Sequence, residues 1–135
     1  RLIEHHVRSH GLDWVELPGR LAKDELRALH QGADLYLTTA LLEAFGIAAL
    51  EARAAGLPVV ARRGTGADDF VRDGVDGLLA DSDALLAGAL AHLAGDRGMR
   101  GRMRAHLLAT PPSQDWPGVV HETLAEYRRA GARTS

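Results

Sequence analysis

Short apolar runs alternate along this chain with longer stretches in which apolar residues recur every three or four positions. Leu35-Tyr36-Leu37-Thr38, Val59-Val60-Ala61 and Leu78-Leu79-Ala80 read as short buried strands, and Trp14-Val15-Glu16-Leu17, stopped by Pro18-Gly19, as another. Residues 1–10 carry Leu2, Ile3, His6, Val7 and His10 at helical spacing, with Gly11 placed to end the helix. A second helix opens at Ala22 or Asp24 with an apolar face of Leu21, Leu26, Leu29 and Ala33. A third follows Gly46 as far as Ala55 and is stopped by Gly56-Leu57-Pro58. Asp81 or Ser82 caps a helix through Leu85, Leu86, Ala89, Leu90 and Leu93. Residues 99–108 form the next, broken by Thr110-Pro111-Pro112-Ser113, and residues 116–130 the last. Strand and helix in alternation predict an α/β fold, a Rossmann-like parallel sheet wrapped by helices.

Composition narrows the classes. A chain of 135 residues suits one domain with its own core. An apolar fraction of 46% with 25% charge is globular rather than disordered. A net charge of −2 supplies no bulk attraction for nucleic acid or anionic membrane. The absence of cysteine excludes disulfides, zinc–thiolate sites and thiol catalysis. No apolar run approaches the roughly 20 residues that span a bilayer, and no signal peptide opens the chain, so the cytoplasm is expected. Residues 1–10 read as a helix already under way, which suggests the tail of a longer protein.

The chemistry gathers between residues 35 and 61. A strand leads into a loop, and the loop ends in Glu43-Ala44-Phe45-Gly46 at the start of a helix that carries Glu51. In open parallel sheets ligands bind at the carboxyl ends of strands, against helix N-termini whose first N–H groups lack partners. Such an end stabilises a phosphate without a metal. A carboxylate accepts hydrogen bonds from vicinal hydroxyls. A diphosphate flanked by two such carboxylates describes a nucleotide sugar.

Residues 15–80 resemble the C-terminal, donor-binding domain of group-1 (family 4) retaining glycosyltransferases of the two-domain GT-B fold. The resemblance rests first on the Glu-x7-Glu element Glu43-Ala44-Phe45-Gly46-Ile47-Ala48-Ala49-Leu50-Glu51. Ala54-Ala55-Gly56-Leu57-Pro58-Val59-Val60-Ala61 continues it. Thr65-Gly66, Asp69 and Asp73-Gly74-Val75-Asp76-Gly77-Leu78-Leu79 follow in the family's order, and Leu17-Pro18-Gly19-Arg20 with Asp24-Glu25-Leu26 matches upstream. The resemblance implies that residues 1–135 belong to a nucleotide-sugar-binding domain whose acceptor-binding, N-terminal partner domain lies upstream. It implies that Glu51 holds the ribose hydroxyls and that Glu43 acts at the transferred sugar. It places the Phe45-Gly46-Ile47 backbone at the diphosphate and Gly19-Arg20 beside the base. It implies a nucleotide-diphosphate sugar donor, an unspecified acceptor (sugar, lipid or small molecule), no metal or other cofactor and no nucleic acid. Peripheral membrane attachment would come through the missing parts. The alternative is a non-catalytic binding or interaction module that keeps the fold.

The chain departs from the family pattern at Thr38-Thr39, Ala44, Thr65 and Asp69, and the Arg/Lys pair that grips the diphosphate in the family lies upstream of Arg1. Arg62 and Arg63 are expected to face solvent. Asp81-Ser82-Asp83 carries a bare Asp-x-Asp pattern but sits where a helix cap belongs. His5, His6 and His10 lack an accompanying carboxylate at metal spacing. Arg97, Arg100, Arg102 and Arg104 form a basic patch without interleaved aromatics, expected to be a solvated face.

Overall fold

The computed structural model describes residues 2–112; the helix expected over 116–130 lies outside them. Three strands, β1 (Tyr36–Leu37), β2 (Val59–Arg62) and β3 (Gly77–Ala80), form a parallel sheet in the order β1-β2-β3. Tyr36 lies beside Val59, and Val59 beside Gly77. Gly77 is required there, because a Cβ would fall 1.9 Å from the Val59 carbonyl oxygen.

Alternation along β2 builds two cores. Val59 and Ala61 face α3 (Ile47–Ala54) and a short 3-10 turn (Gly66–Asp69), packing with Ala49, Ala67, Phe70 and Val71. Val60 faces the other way, with Ala80, Leu86, Leu93 and Met103 from β3, α4 (Asp83–Gly95) and α5 (Arg97–Ala109). Helices on both faces make the α/β, Rossmann-like parallel sheet that the alternation predicts. Ser82 opens α4, its side chain accepting the Leu85 N–H at 3.2 Å. Asp96 does the same for α5 with Met99 at 2.8 Å.

α5 lies along the N-terminal edge of the sheet. A Cβ on Gly56, just before β2, would meet Leu108 at 2.9 Å, and Asp76, just before β3, meets His106 at 3.2 Å. Asp76 is wholly buried and also binds Arg53 of α3 at 3.7 Å and Arg72 at 3.1 Å. Arg53 in turn donates to the Thr110 carbonyl at 3.2 Å. One carboxylate thus ties α3, the segment before β3 and α5 together.

Two expectations need correction. Residues 14–17 are not a strand. The Val15 N–H bonds the Leu12 carbonyl at 3.1 Å, which turns the backbone, and no strand among the described residues pairs with this segment. Trp14 is accordingly 77% exposed. The helix α2 (Lys23–Gly32) does form, with Glu25 accepting the Ala22 N–H at 2.7 Å, but its expected apolar face is only half-buried at Leu21, Leu26 and Ala33 and open at Leu29. Leu29 is 51% exposed and His30 is the buried residue of the helix. An apolar stripe is buried only where another layer covers it, and the three strands are already covered on that side by α3 and the 3-10 turn. The first helix, α1 (Leu2–Ser9), likewise buries none of its residues.

Candidate functional site

The loop between β1 and α3 places its residues at the carboxyl edge of the sheet. Gly46 opens α3 with φ 79 and ψ 51, a left-handed conformation that favours glycine. Its N–H donates to Glu43 Oε1 at 3.2 Å. The Glu43 side chain therefore folds back over the start of the helix, and the Gly46 amide is already engaged. The N–H groups of the first turn beyond Gly46 have no intrahelical acceptor, so anion-binding capacity here rests on residues 47–49.

The glycine loop after β2 closes on this segment. The Gly66 N–H donates to the Glu43 carbonyl at 2.8 Å. A Cβ on Gly66 would lie 2.4 Å from the Phe45 Cα, so the backbones touch at a distance that only glycine allows. Thr65 precedes it, and its hydroxyl donates to the Arg62 carbonyl at 2.8 Å. Phe45 packs its ring 6.0 Å from that of Phe70, tilted by 53°. Leu42, 97% exposed, and Ile47 present apolar surface beside Glu43.

Glu51 is exposed one turn further along α3. It lines a cavity of about 480 Å³ between α2 and α3, together with Lys23, Arg27 and His30. Tyr36 connects the two carboxylates electrostatically. Burial raises its hydroxyl above the ordinary phenol value, and the charges of Glu43 and Glu51 raise it further. His30 meets the Tyr36 ring edge-on at 6.2 Å.

The structure thus brings Glu43, Phe45, Gly46 and Ile47 to the carboxyl edge, while Glu51, one turn along α3, lines the cavity beside α2, and Tyr36 feels the charge of both carboxylates. Gly19 and Arg20 stand apart on the exposed segment before α2, with Gly19 at φ 73, and neither lines the Glu51 cavity. Lys23, Arg27, His30 and Tyr36 were not singled out from the sequence. Their signal was weak, since each sits inside an element pattern and joins Glu51 only through the packing of α2 beside α3.

The weaker candidates resolve into structural roles. Arg62 pairs with Asp83, and Arg63 pairs with Asp73 at 2.7 Å and Asp81 at 3.5 Å. Both acids of the Asp-x-Asp pattern are therefore occupied by arginines. Asp68 accepts the Gly64 N–H at 2.7 Å. The His6 and His10 rings stack at 4.0 Å. Among the described residues, no group of three or more His, Asp or Glu side chains is placed to hold a metal ion, and no helix is long and apolar enough to cross a membrane.

A parallel sheet with a glycine-opened helix at its carboxyl edge is the arrangement at which open α/β folds bind their ligands. The family follows from comparison: residues 2–106 match the model for glycosyl transferases group 1, and the chain belongs to that family. The D-inositol 3-phosphate glycosyltransferase of Salinispora tropica is 37% identical over 111 residues, which are 81% of this chain and 23% of that protein. The Mycobacterium tuberculosis (strain ATCC 25177 / H37Ra) protein of the same name is 36% identical over 110 residues, 78% of this chain and 23% of its own length. The Anabaena protein HepE in complex with UDP-glucose superposes with a TM-score of 0.76 at 26% identity, over 95% of this chain and 36% of HepE. Sucrose-phosphate synthase from Thermosynechococcus elongatus gives 0.75 at 25% identity, over 95% and 33%. The chain thus spans about a quarter of the length of these curated relatives.

Proposed function

We propose that this chain is the donor-binding part of a retaining glycosyltransferase of the GT-B class, acting with an acceptor-binding domain that precedes it in a longer polypeptide. The observation that carries this reading is the joint placement of Glu43 and Glu51 around the start of α3, both felt at Tyr36. Glu51 accepts the ribose hydroxyls. Glu43 meets hydroxyls of the transferred sugar, and the backbone at Phe45, Gly46 and Ile47 faces the diphosphate. Gly19 and Arg20 are assigned to the base by the family pattern alone, since they stand apart from the Glu51 cavity. Lys23 and Arg27, in the cavity with Glu51, add donors suited to an oxo-bearing base.

Transfer in this scheme needs no metal. The diphosphate leaves as an anion stabilised by backbone N–H groups, and the enzyme's contribution is positioning and charge stabilisation. The donor proposed first is a UDP-sugar, in line with the UDP-glucose complex of HepE. The acceptor proposed first is a phosphorylated polyol, in line with the names of the relatives. The cytoplasm is the proposed site of the reaction.

A thermal-shift panel of UDP-, GDP- and ADP-sugars on the full-length protein tests the reading, because a ligand of the folded state raises the midpoint by mass action. A UDP-sugar should stabilise most. No shift with any of the three would overturn donor binding. Binding without turnover on any acceptor would favour the non-catalytic module instead.

A further inference from the structure

The donor site occupies the carboxyl edge of the sheet, and a separate feature occupies the opposite edge. The first eight residues of α5, Arg97-Gly98-Met99-Arg100-Gly101-Arg102-Met103-Arg104, include four arginines and no acid. Met103 and Leu107 turn into the core, which fixes the rotation of the helix. Arg97, Arg100 and Arg104, at spacings of three and four, then share one face. That face forms one wall of a cavity of about 590 Å³, and residues 31–34, the end of α2 and the two residues after it, form the other. Gly101 lies between the arginines, and a Cβ there would meet nothing within 4 Å, so the space is open.

The arginines are available to a ligand. Arg100 is held in place by donating to the Leu93 carbonyl at 2.9 Å and to that of Ala94, at the end of α4. Arg97 and Arg104 make no ion pair among the described residues. Asp34 is the one acidic side chain in the lining, so three guanidinium groups face a single carboxylate. Planar guanidinium groups in a concave, positively charged setting match the oxygens of a phosphate group.

We propose that this groove is a second anion site that takes a phosphate group, distinct from the donor site. The phosphate belongs either to a soluble phosphorylated compound or to a lipid headgroup. The groove shares Gln31 with the cavity that Glu51 lines but takes no residue of the loop that carries Glu43, so its ligand acts as an effector or an anchor and not as a reactant.

The test uses the full-length protein, with tripolyphosphate as the soluble probe and phosphatidylcholine vesicles with and without phosphatidylglycerol as the lipid probe. R97Q/R104Q removes two charges from the groove. R8Q/R102Q removes two outside it and controls for net charge, and circular dichroism confirms that both variants fold. The site predicts tripolyphosphate binding by calorimetry that weakens about tenfold or more in R97Q/R104Q and is unchanged in the control. Vesicle binding that requires phosphatidylglycerol and is lost in R97Q/R104Q identifies a headgroup, and its absence identifies a soluble ligand. No binding of either probe, or equal losses in the two variants, overturns the proposal.

Discussion

Glu43 Oε1 accepts the Gly46 N–H at 3.2 Å, so the side chain proposed to meet the transferred sugar also closes the first turn of α3. The two duties separate by substitution. Glu43→Gln keeps an oxygen acceptor for Gly46 and removes the charge. Glu43→Ala removes both. Glu43→Gln should leave the thermal midpoint near that of the native protein and lower kcat about a hundredfold. Glu43→Ala should also lose about 1 kcal/mol of stability, the usual net worth of one hydrogen bond. Steady-state kinetics beside thermal melts check this, and native kcat in Glu43→Gln would remove Glu43 from the reaction.

The contact between Gly66 and Phe45 makes a second prediction. Gly66→Ala drives a Cβ to 2.4 Å from the Phe45 Cα, and neither backbone can retreat without moving the donor loop. Overpacking of this kind costs about 1–3 kcal/mol. The variant should melt earlier and bind a UDP-sugar more weakly than its stability loss alone explains. Gly101→Ala, where the Cβ meets nothing, should do neither and serves as the control.

Asp76 is the buried one of three carboxyls, with Asp73 and Asp96, that are held low and contribute to the response to acid. Burial pushes its carboxyl up. The Arg72 side chain and backbone N–H, with the charges of Arg53 and Arg72, outweigh that and hold it below the usual carboxylate value. A group depressed in the folded state contributes stability that is present above the unfolded carboxylate value and lost as pH falls through the folded one. Stability should therefore decline on the acid side, below the usual carboxylate range. Asp76→Asn leaves the Arg53 charge buried without its counter-ion and should cost about 3 kcal/mol at neutral pH. It should also flatten the acid decline, as measured by denaturant unfolding across pH.

Local patterning made much of this fold readable in advance. The apolar run Val59-Val60-Ala61 became the central strand because its β-branched residues suit a position covered on both faces. Ser82 capped α4 where a serine before an apolar helical stripe belongs. The Glu-x7-Glu spacing marked the loop and helix that the structure brings to the carboxyl edge.

What could not be read depends on partners. A strand needs a neighbour, and the β-like composition of residues 14–17 cannot supply one. The stripe on α2 needs a layer to cover it, and Leu29 has none. Tyr36 and His30 joined the site through packing between separate elements. The Asp76 cluster draws Arg53, Arg72 and His106 from three stretches of chain, and no local spacing announces that convergence.

Glu51 bears the central claim. It is exposed on α3 beside an open cavity, so Glu51→Ala should fold as the native protein does. Calorimetric titration of the full-length protein and this variant with a UDP-sugar is the most direct measurement. Loss of charge-assisted hydrogen bonds to the ribose should weaken binding about tenfold or more at an unchanged thermal midpoint. Equal affinity in the two proteins would contradict the account.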